Sequence, residues 1–273
     1  MQDNQSKSKE LEIAIKAAKE AGKILEKYFE TEILKEIKDV KEDINIVTIA
    51  DRESEDLIKK IILENFPDHS ILGEETGLTK NSGSYTWHID PIDGTRNFAN
   101  RIPFFALSIG FAKDNEILGG VIYNPVSDTL FYTEKGKGAY WNNKRIYVSK
   151  DDAKNCIVTV SSGRKPADLK LRRNLMHDLP ENTVSAVRDF GCTALDLAYV
   201  AWGNTSADLK FGLKIHDCAA GILLIQEAGG MVTTIDGTPW KLSDAGYFIA
   251  SNGVFHNKLV LEVKKQKKKL GIK

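Results

Sequence analysis

Two different orders of hydrophobic pattern follow one another along this chain, and few architectures accommodate both. Leu11, Ile15, Ala18, Ile24, Leu25 and Phe29 recur at helical spacing with lysines and glutamates on the opposite face, which predicts an amphipathic opening helix. Leu57, Ile58, Ile61, Ile62 and Phe66 repeat that period until Pro67 stops it, giving a second helix over roughly 51–65. Tyr85, Trp87 and Ile89 then alternate with Thr86, His88 and Asp90, the period of a strand that delivers Asp90 to its end. Residues 104–140 read as strands broken by Lys113-Asp114-Asn115, Asn124-Pro125 and Gly136-Lys137-Gly138, turn chemistry for an antiparallel meander. Beyond Lys150 the order changes. Strand patterns (156–160, 183–187) alternate with helical ones (169–176, 193–202, 218–228), as in a layered α/β unit. An α+β half, 1–150, is thus expected to carry most of the acidic motifs, with an α/β half, 151–273, completing the site. No proline-rich or glycine-serine linker separates them, so they should pack closely.

Composition narrows the function classes. A chain of 273 residues buries a core without disulfide or metal staples. With 38 basic and 38 acidic residues it has no net field to draw it to nucleic acid or membrane, so an anionic ligand must be held by local chemistry. Cys156, Cys192 and Cys218 are odd in number and widely spaced, which argues against a zinc site or a disulfide framework. The start of the chain is polar, and no run approaches the roughly 18 apolar residues of a membrane span, so a cytoplasmic location is expected. The lysines of 264–269 suit the C-terminal end of a helix and read as solvated, not as a nucleic-acid contact.

Acidic residues stand at predicted element ends: Asp51 after a strand, Glu74 and Glu75 in a glycine-flanked loop, Asp90 and Asp93 around Pro91, and Asp217 opening a helix. Such positions let side chains from distant segments face one cleft. Carboxylates brought together repel one another, and a hard divalent cation offsets that repulsion, Mg²⁺ being usual where phosphate completes the coordination. Singly, Glu74-Glu75 fits a solvated loop, and Asp217 or Asp51 a helix cap. The string Asp90-Pro91-Ile92-Asp93-Gly94-Thr95 is more telling. Pro91 keeps Asp90 extended, while Gly94 and Thr95 begin a helical turn whose free amides suit an anion. Carboxylates for metal beside amides for phosphate make a phosphoryl-transfer layout, with the Thr95 hydroxyl near enough to polarise a metal-bound water.

Other phosphatase chemistries fail on spacing. An aspartyl nucleophile of the Asp-x-Asp-x-Thr kind needs one residue between the acids, whereas two separate Asp90 from Asp93; Cys156 lacks an arginine six positions on; and no P-loop pattern occurs. Attack by metal-activated water remains.

Gly73-Glu74-Glu75, the 87–95 segment, Asn97-Phe98, Ile102-Pro103-Phe104-Phe105-Ala106, 217–221 and Glu227-Ala228-Gly229-Gly230 occur in an order that resembles the inositol monophosphatase family of magnesium-dependent, lithium-sensitive phosphomonoesterases, over residues 40–250. The resemblance implies a layered αβαβα sandwich, a homodimer, and two or three Mg²⁺ ions. Glu74, Asp90 and the Ile92 carbonyl would hold one ion, Asp90, Asp93 and Asp217 a second, and Glu74 a weaker third. Thr95, hydrogen-bonded to Asp51, would orient the water in a catalytic group with Glu74, and Lys41 falls near the family's loop lysine.

Substrate contacts are expected at Asp93, the Gly94 and Thr95 amides, Thr193 and Lys210. The chain departs from the family where tryptophan often precedes the second-motif aspartate and a carboxylate reads inositol hydroxyls: His216 and, approximately, Lys210 stand there. Lys210 and Lys214, with Arg164-Lys165, suggest a second anionic group on the substrate, so inositol 1-phosphate and fructose 1,6-bisphosphate are both expected candidates. A 3′(2′),5′-bisphosphate nucleotidase of the same superfamily and a catalytically silent metal-binding protein are the alternatives.

Overall fold

The computed structural model describes residues 6–29, 35–37, 46–244 and 246–272, so Lys41 lies outside the described residues. Two helices open the chain, α1 (Lys9–Phe29) and α2 (Ile49–Asn65), with the short antiparallel pair β1 (Lys35–Ile37) and β2 (Ile46–Thr48) between them. An eight-stranded sheet follows, built from β3 (Ser70–Gly73), β4 (Gly77–Thr79), β5 (Tyr85–Asp93), β6 (Ala106–Lys113), β7 (Glu116–Asn124), β8 (Thr129–Glu134), β9 (Gly138–Trp141) and β10 (Lys144–Ile146), in the order β10-β9-β8-β7-β6-β5-β3-β4. The one-turn helix α3 (Thr95–Ala99) leaves the end of β5. The second half forms a five-stranded sheet from β11 (Ile157–Ser162), β12 (Ala186–Arg188), β13 (Ala207–Leu213), β14 (Met231–Thr234) and β15 (Gly246–Ser251), ordered β12-β11-β13-β15-β14. Its helices are α4 (Pro166–Asn182), α5 (Thr193–Trp202), α6 (Ala219–Glu227) and α7 (His256–Leu270).

Strand alternation sorts these elements into five layers. Trp87, Ile89, Leu107, Ile109, Val121 and Tyr123 pack against Leu11, Ala18 and Leu25 of α1 and Ile58 and Ile62 of α2. Their sequence neighbours Ala106 and Ile122, with Phe131 of β8, face the other way, onto α5 and α6, which also receive Phe248 and Ala250 of β15. Ile249, Leu209 and Phe211 emerge on the far side of the second sheet against α4 and α7. The result is the αβαβα sandwich. Both sheets contribute to the middle core, as the missing linker suggests.

Two facing glycines bring α6 close to the first sheet. Gly110 and Gly120 pair across β6 and β7, and a Cβ on Gly120 would lie 2.7 Å from the Ala220 Cα. This approach carries Asp217, in the 3-10 turn Ile215–Asp217 just before α6, to the face of β5 that bears His88 and Asp90.

Two local expectations need correction, and one segment is newly defined. The strand does not end at Asp90: β5 runs on to Asp93 with a register shift against β6 between the two acids, and Pro91, which has no N–H to give, sits in that irregularity. Asp51 does not end a strand; β2 stops at Thr48 and Asp51 lies in the first turn of α2. The segment around Lys210 is strand β13, whose charged residues Asp208 and Lys210 alternate with Leu209 and Phe211 and therefore point into the middle layer.

Candidate active site

Strand pairing places the first two acids side by side. Gly73 of β3 pairs in parallel with Ile89 of β5, so Glu74, the first residue beyond β3, comes out beside Asp90, which is still in β5, and the Glu74 amide donates to the Ile89 carbonyl at 3.1 Å. The loop that carries Glu74 is held from α2. The fully buried Glu55 carboxylate accepts the Glu75 amide at 2.8 Å and the Thr76 amide at 3.0 Å. A Cβ at position 73 would come within 2.3 Å of the Glu55 carboxylate, which is why glycine stands there.

Asp90 is 2% exposed, and its Oδ1 accepts the Ile92 amide at 3.0 Å. The chain then turns at Gly94, whose φ of 86° favours glycine, and enters α3. Thr95 donates its hydroxyl to the Ile92 carbonyl at 2.9 Å, which fixes that carbonyl and leaves the Thr95 oxygen able to accept. Asp93 meets the start of α5: it accepts the Ala194 amide and the Cys192 thiol, with Thr193 buried between those two residues. Asn97 fastens the α3 turn to the same region by donating to the Phe104 and Phe190 carbonyls at 2.7 and 2.8 Å. Asp217 comes from the opposite side, its Oδ2 accepting the Lys214 amide at 2.9 Å.

The electrostatics record this convergence. Burial pushes Asp90 well above the ordinary carboxylate range, and the charges of Glu74, Asp93, Asp217 and Asp51 push it further. Burial and the Asp217 charge raise Asp93 to about 7, against the pull of the Ala194 amide. Asp217 rises to about 6, chiefly from burial, although the His216 cation opposes it. Glu74 goes the other way: burial acts to raise it, but His216 and Lys214 outweigh burial and bring it down to about 2. His216 lies 3.8 Å from Glu74 and 3.3 Å from Asp217, and Lys214 lies 3.3 Å from Glu74. His88, on the Asp90 face of β5, is lowered to about 4 by burial and by the His216 charge.

Glu74, Asp90, Asp93, Asp217 and Asp51 are therefore brought together, with Ile92, Gly94 and Thr95 beside them and Thr193 on the α5 wall. Lys210 is not available to substrate. Its ammonium is fully buried in the middle layer, 2.6 Å from Asp196 and 3.2 Å from Asp208, and donates to Ser161 at 2.7 Å. A strand lysine between two core residues cannot turn outward without reversing Leu209 and Phe211.

Sequence reading missed Glu55, gave Asn97 no role beyond its place in a motif, and did not foresee that Asp196 and Asp208 enclose Lys210. Glu55 had a visible signal: Asp51 and Glu55 continue the stripe of Ile58 and Ile62 at spacings of four, three and four, so two acids occupy the buried face of a helix.

Oxygen donors alone make up the Asp90–Asp93–Asp217 group, and burial combined with mutual repulsion leaves it short of positive charge. That donor set fits magnesium. Metal binding must displace protons here. Asp93 and Asp217 have folded-state values raised above the ordinary 3.8, so the proton-linked stability they give is complete below that value and is lost as pH rises through about 6 to 7. We expect Mg²⁺ to raise the unfolding temperature little near about pH 5 and clearly more near about pH 8, read by thermal unfolding with and without the ion. A magnesium effect that shrinks with rising pH would contradict this charge balance.

A five-layer sandwich with buried carboxylates gathered beside a glycine turn belongs to the class of metal-assisted phosphoester hydrolases. The chain is a member of the inositol monophosphatase family, whose sequence model matches residues 6–268. A fructose-1,6-bisphosphatase/inositol-1-monophosphatase of Aquifex aeolicus is 37% identical over 94% of this chain and 96% of its own length. The inositol-1-monophosphatase of Mesorhizobium japonicum is 38% identical over 93% of this chain and 96% of its own. Among solved structures, the extragenic suppressor protein suhB of Bartonella henselae superposes with a TM-score of 0.85 at 35% identity, covering 94% of this chain and 99% of that one. The family hydrolyses phosphomonoesters, with magnesium dependence and lithium sensitivity as family properties, and this chain is a phosphoric monoester hydrolase. Among the described residues, no helix is long and apolar enough to cross a membrane.

Proposed function

We propose that the chain hydrolyses a small sugar or polyol phosphate, inositol 1-phosphate or fructose 1,6-bisphosphate, using two or three magnesium ions. Glu74, Asp90 and the Ile92 carbonyl would hold one ion, Asp90, Asp93 and Asp217 a second, and Glu74 a third. The observation that carries this reading is the crowding of Glu74, Asp93, Asp217 and Asp51 around the buried Asp90, next to the Gly94 turn. Magnesium, when bound, supplies positive charge for the phosphate and acidifies water.

The remaining work falls to the chain itself. We assign the Gly94 and Thr95 amides to the phosphate oxygens. Thr95, its proton committed to Ile92, accepts a hydrogen bond from the attacking water, and Asp51 acts with it to orient that water. The Ala194 amide and Cys192 thiol fix the Asp93 carboxylate, so less ordering remains for the moment of reaction. Thr193, at the first position of α5, faces the substrate ring. We also take residues 1–150 and 151–273 as two domains that share this site.

A phosphate-release panel tests the reading. With Mg²⁺ we expect release from inositol 1-phosphate or fructose 1,6-bisphosphate, suppression by EDTA and inhibition by Li⁺, with adenosine 3′,5′-bisphosphate turned over more slowly. No release from either sugar ester would overturn it.

A further inference from the structure

His216 stands in an unusual position for a buried imidazole. It is 5% exposed, yet neither ring nitrogen makes a hydrogen bond among the described residues. Its Nε2 faces two carboxylate oxygens, Asp217 Oδ1 at 3.3 Å and Glu74 Oε1 at 3.8 Å. Both carboxylates are anchored elsewhere. Asp217 spends Oδ2 on the Lys214 amide, which leaves Oδ1 toward the ring, and Glu74 is held at the end of β3 by its own amide. The backbone under His216 is tied down as well, because the Ser108 hydroxyl donates to its carbonyl at 3.4 Å. A buried polar group without a hydrogen bond costs free energy, and the two ion-pair contacts do not supply one, so the ring has room for a ligand between it and the two carboxylates.

The spacing specifies that ligand. Ligand atoms about 2.1 Å from a shared ion, at angles between octahedral and tetrahedral, stand roughly 3.0 to 3.4 Å from one another. One ligand atom each from Glu74, His216 and Asp217 lies within 4.8 Å of the others. The 3.3 Å to Asp217 is long for a charge-assisted hydrogen bond, at about 2.7 to 2.9 Å, and falls within the spacing around a cation, whereas the 3.8 Å to Glu74 is wider and would have to close by a few tenths of an ångström. Magnesium has no use for an imidazole, whereas borderline first-row cations favour a mixed nitrogen and oxygen set.

We propose that Glu74, His216 and Asp217 form a metal site with a nitrogen ligand, so that this chain binds a borderline divalent cation of the Zn²⁺, Mn²⁺ or Co²⁺ class through His216. The site rests on the reading of Glu74 and Asp217 as metal ligands and adds to it a donor that the all-oxygen magnesium set lacks. Lys214 lies 3.3 Å from the same Glu74 oxygen, but it is an exposed side chain on a flexible stem and yields that place to a divalent ion.

A second cluster, His177, Asp178 and Glu181 on the outside of α4, also has ligand spacing, so the experiment is run in full-length protein carrying His177→Gln. Zn²⁺ affinity is measured by competition with a chromophoric chelator, Mg²⁺ affinity by calorimetry, and nitrogen ligation by pulsed electron paramagnetic resonance of the Mn²⁺ form. We expect ¹⁴N modulation from one imidazole in the His177→Gln parent. Adding His216→Gln should remove it and weaken Zn²⁺ about tenfold or more, while changing Mg²⁺ less than about threefold. Absence of ¹⁴N modulation in the parent overturns the proposal even if the His216→Gln protein fails to fold. Modulation that persists in a folded His216→Gln protein, or an unchanged Zn²⁺ constant, also overturns it. In these cases normal Mg²⁺ binding leaves the magnesium reading standing. Failure of Mg²⁺ to bind the parent, or equal binding after Glu74→Gln, removes both.

Discussion

Replacing Asp90 by asparagine is expected to cut magnesium-dependent phosphate release by about 10³-fold or more, beyond the roughly 10- to 100-fold cost of disturbing a partner behind a metal ligand. The same substitution should leave the metal-free protein at least as stable as the parent. Burial, and after it the charges of Glu74, Asp93, Asp217 and Asp51, hold the folded-state value of Asp90 well above 3.8, so at neutral pH bringing this carboxyl group into the fold costs stability. Asparagine removes that cost and keeps an oxygen for the Ile92 amide. A higher unfolding temperature in EDTA together with lost turnover is the signature of a site residue retained for chemistry at the expense of stability. Turnover within about tenfold of the parent by a folded Asp90→Asn protein would sink the assignment of the site.

Replacing Lys210 by methionine is expected to be the most damaging change to the fold. Lys210 is the ammonium between Asp196 and Asp208, and both carboxylates hold it protonated even though burial alone would lower it. One cation serves two acids, so burial still raises Asp196 to about 8, and Asp208 is raised as well. Removing one partner of a buried pair costs about 3–5 kcal/mol, a fall in unfolding temperature of about 10 °C for a chain of this size. The sign with pH follows from the acids. Without Lys210 their folded-state values climb further above 3.8, so the loss should be small near about pH 5, where they carry protons, and grow toward about pH 8. Thermal unfolding across that range checks it. A pH-independent loss would show that packing around the stem, rather than charge, is what Lys210 provides.

The sequence was informative wherever chemistry is local. The helix periods of α1 and α2, the turns of the meander, the glycine at position 94 and the acids around Pro91 are all properties of a few neighbouring residues, and each corresponds to the described fold to within a few residues. It was less informative where a strand alternates charged with apolar residues. Asp208 and Lys210 look like the solvated face of a segment, and only the placement of α5 against β13 turns that face into a buried ion cluster. Lys210 suggested a substrate contact because it falls near the family position that reads the substrate, and that position is buried here.

Sequence by itself determined the donor types and their order along the chain: five acids, a glycine turn and a threonine, in segments that must end on layered elements. The tertiary structure decided which of them meet. The Gly73–Ile89 pairing sets Glu74 beside Asp90, the Gly110–Gly120 contact lets α6 bring Asp217 across, and the same turn leaves His216 facing two carboxylates with no hydrogen bond to either. The physical reason is that Coulomb and ligand interactions act over a few ångströms of space, while the residues that make them lie from a few to more than a hundred positions apart along the chain.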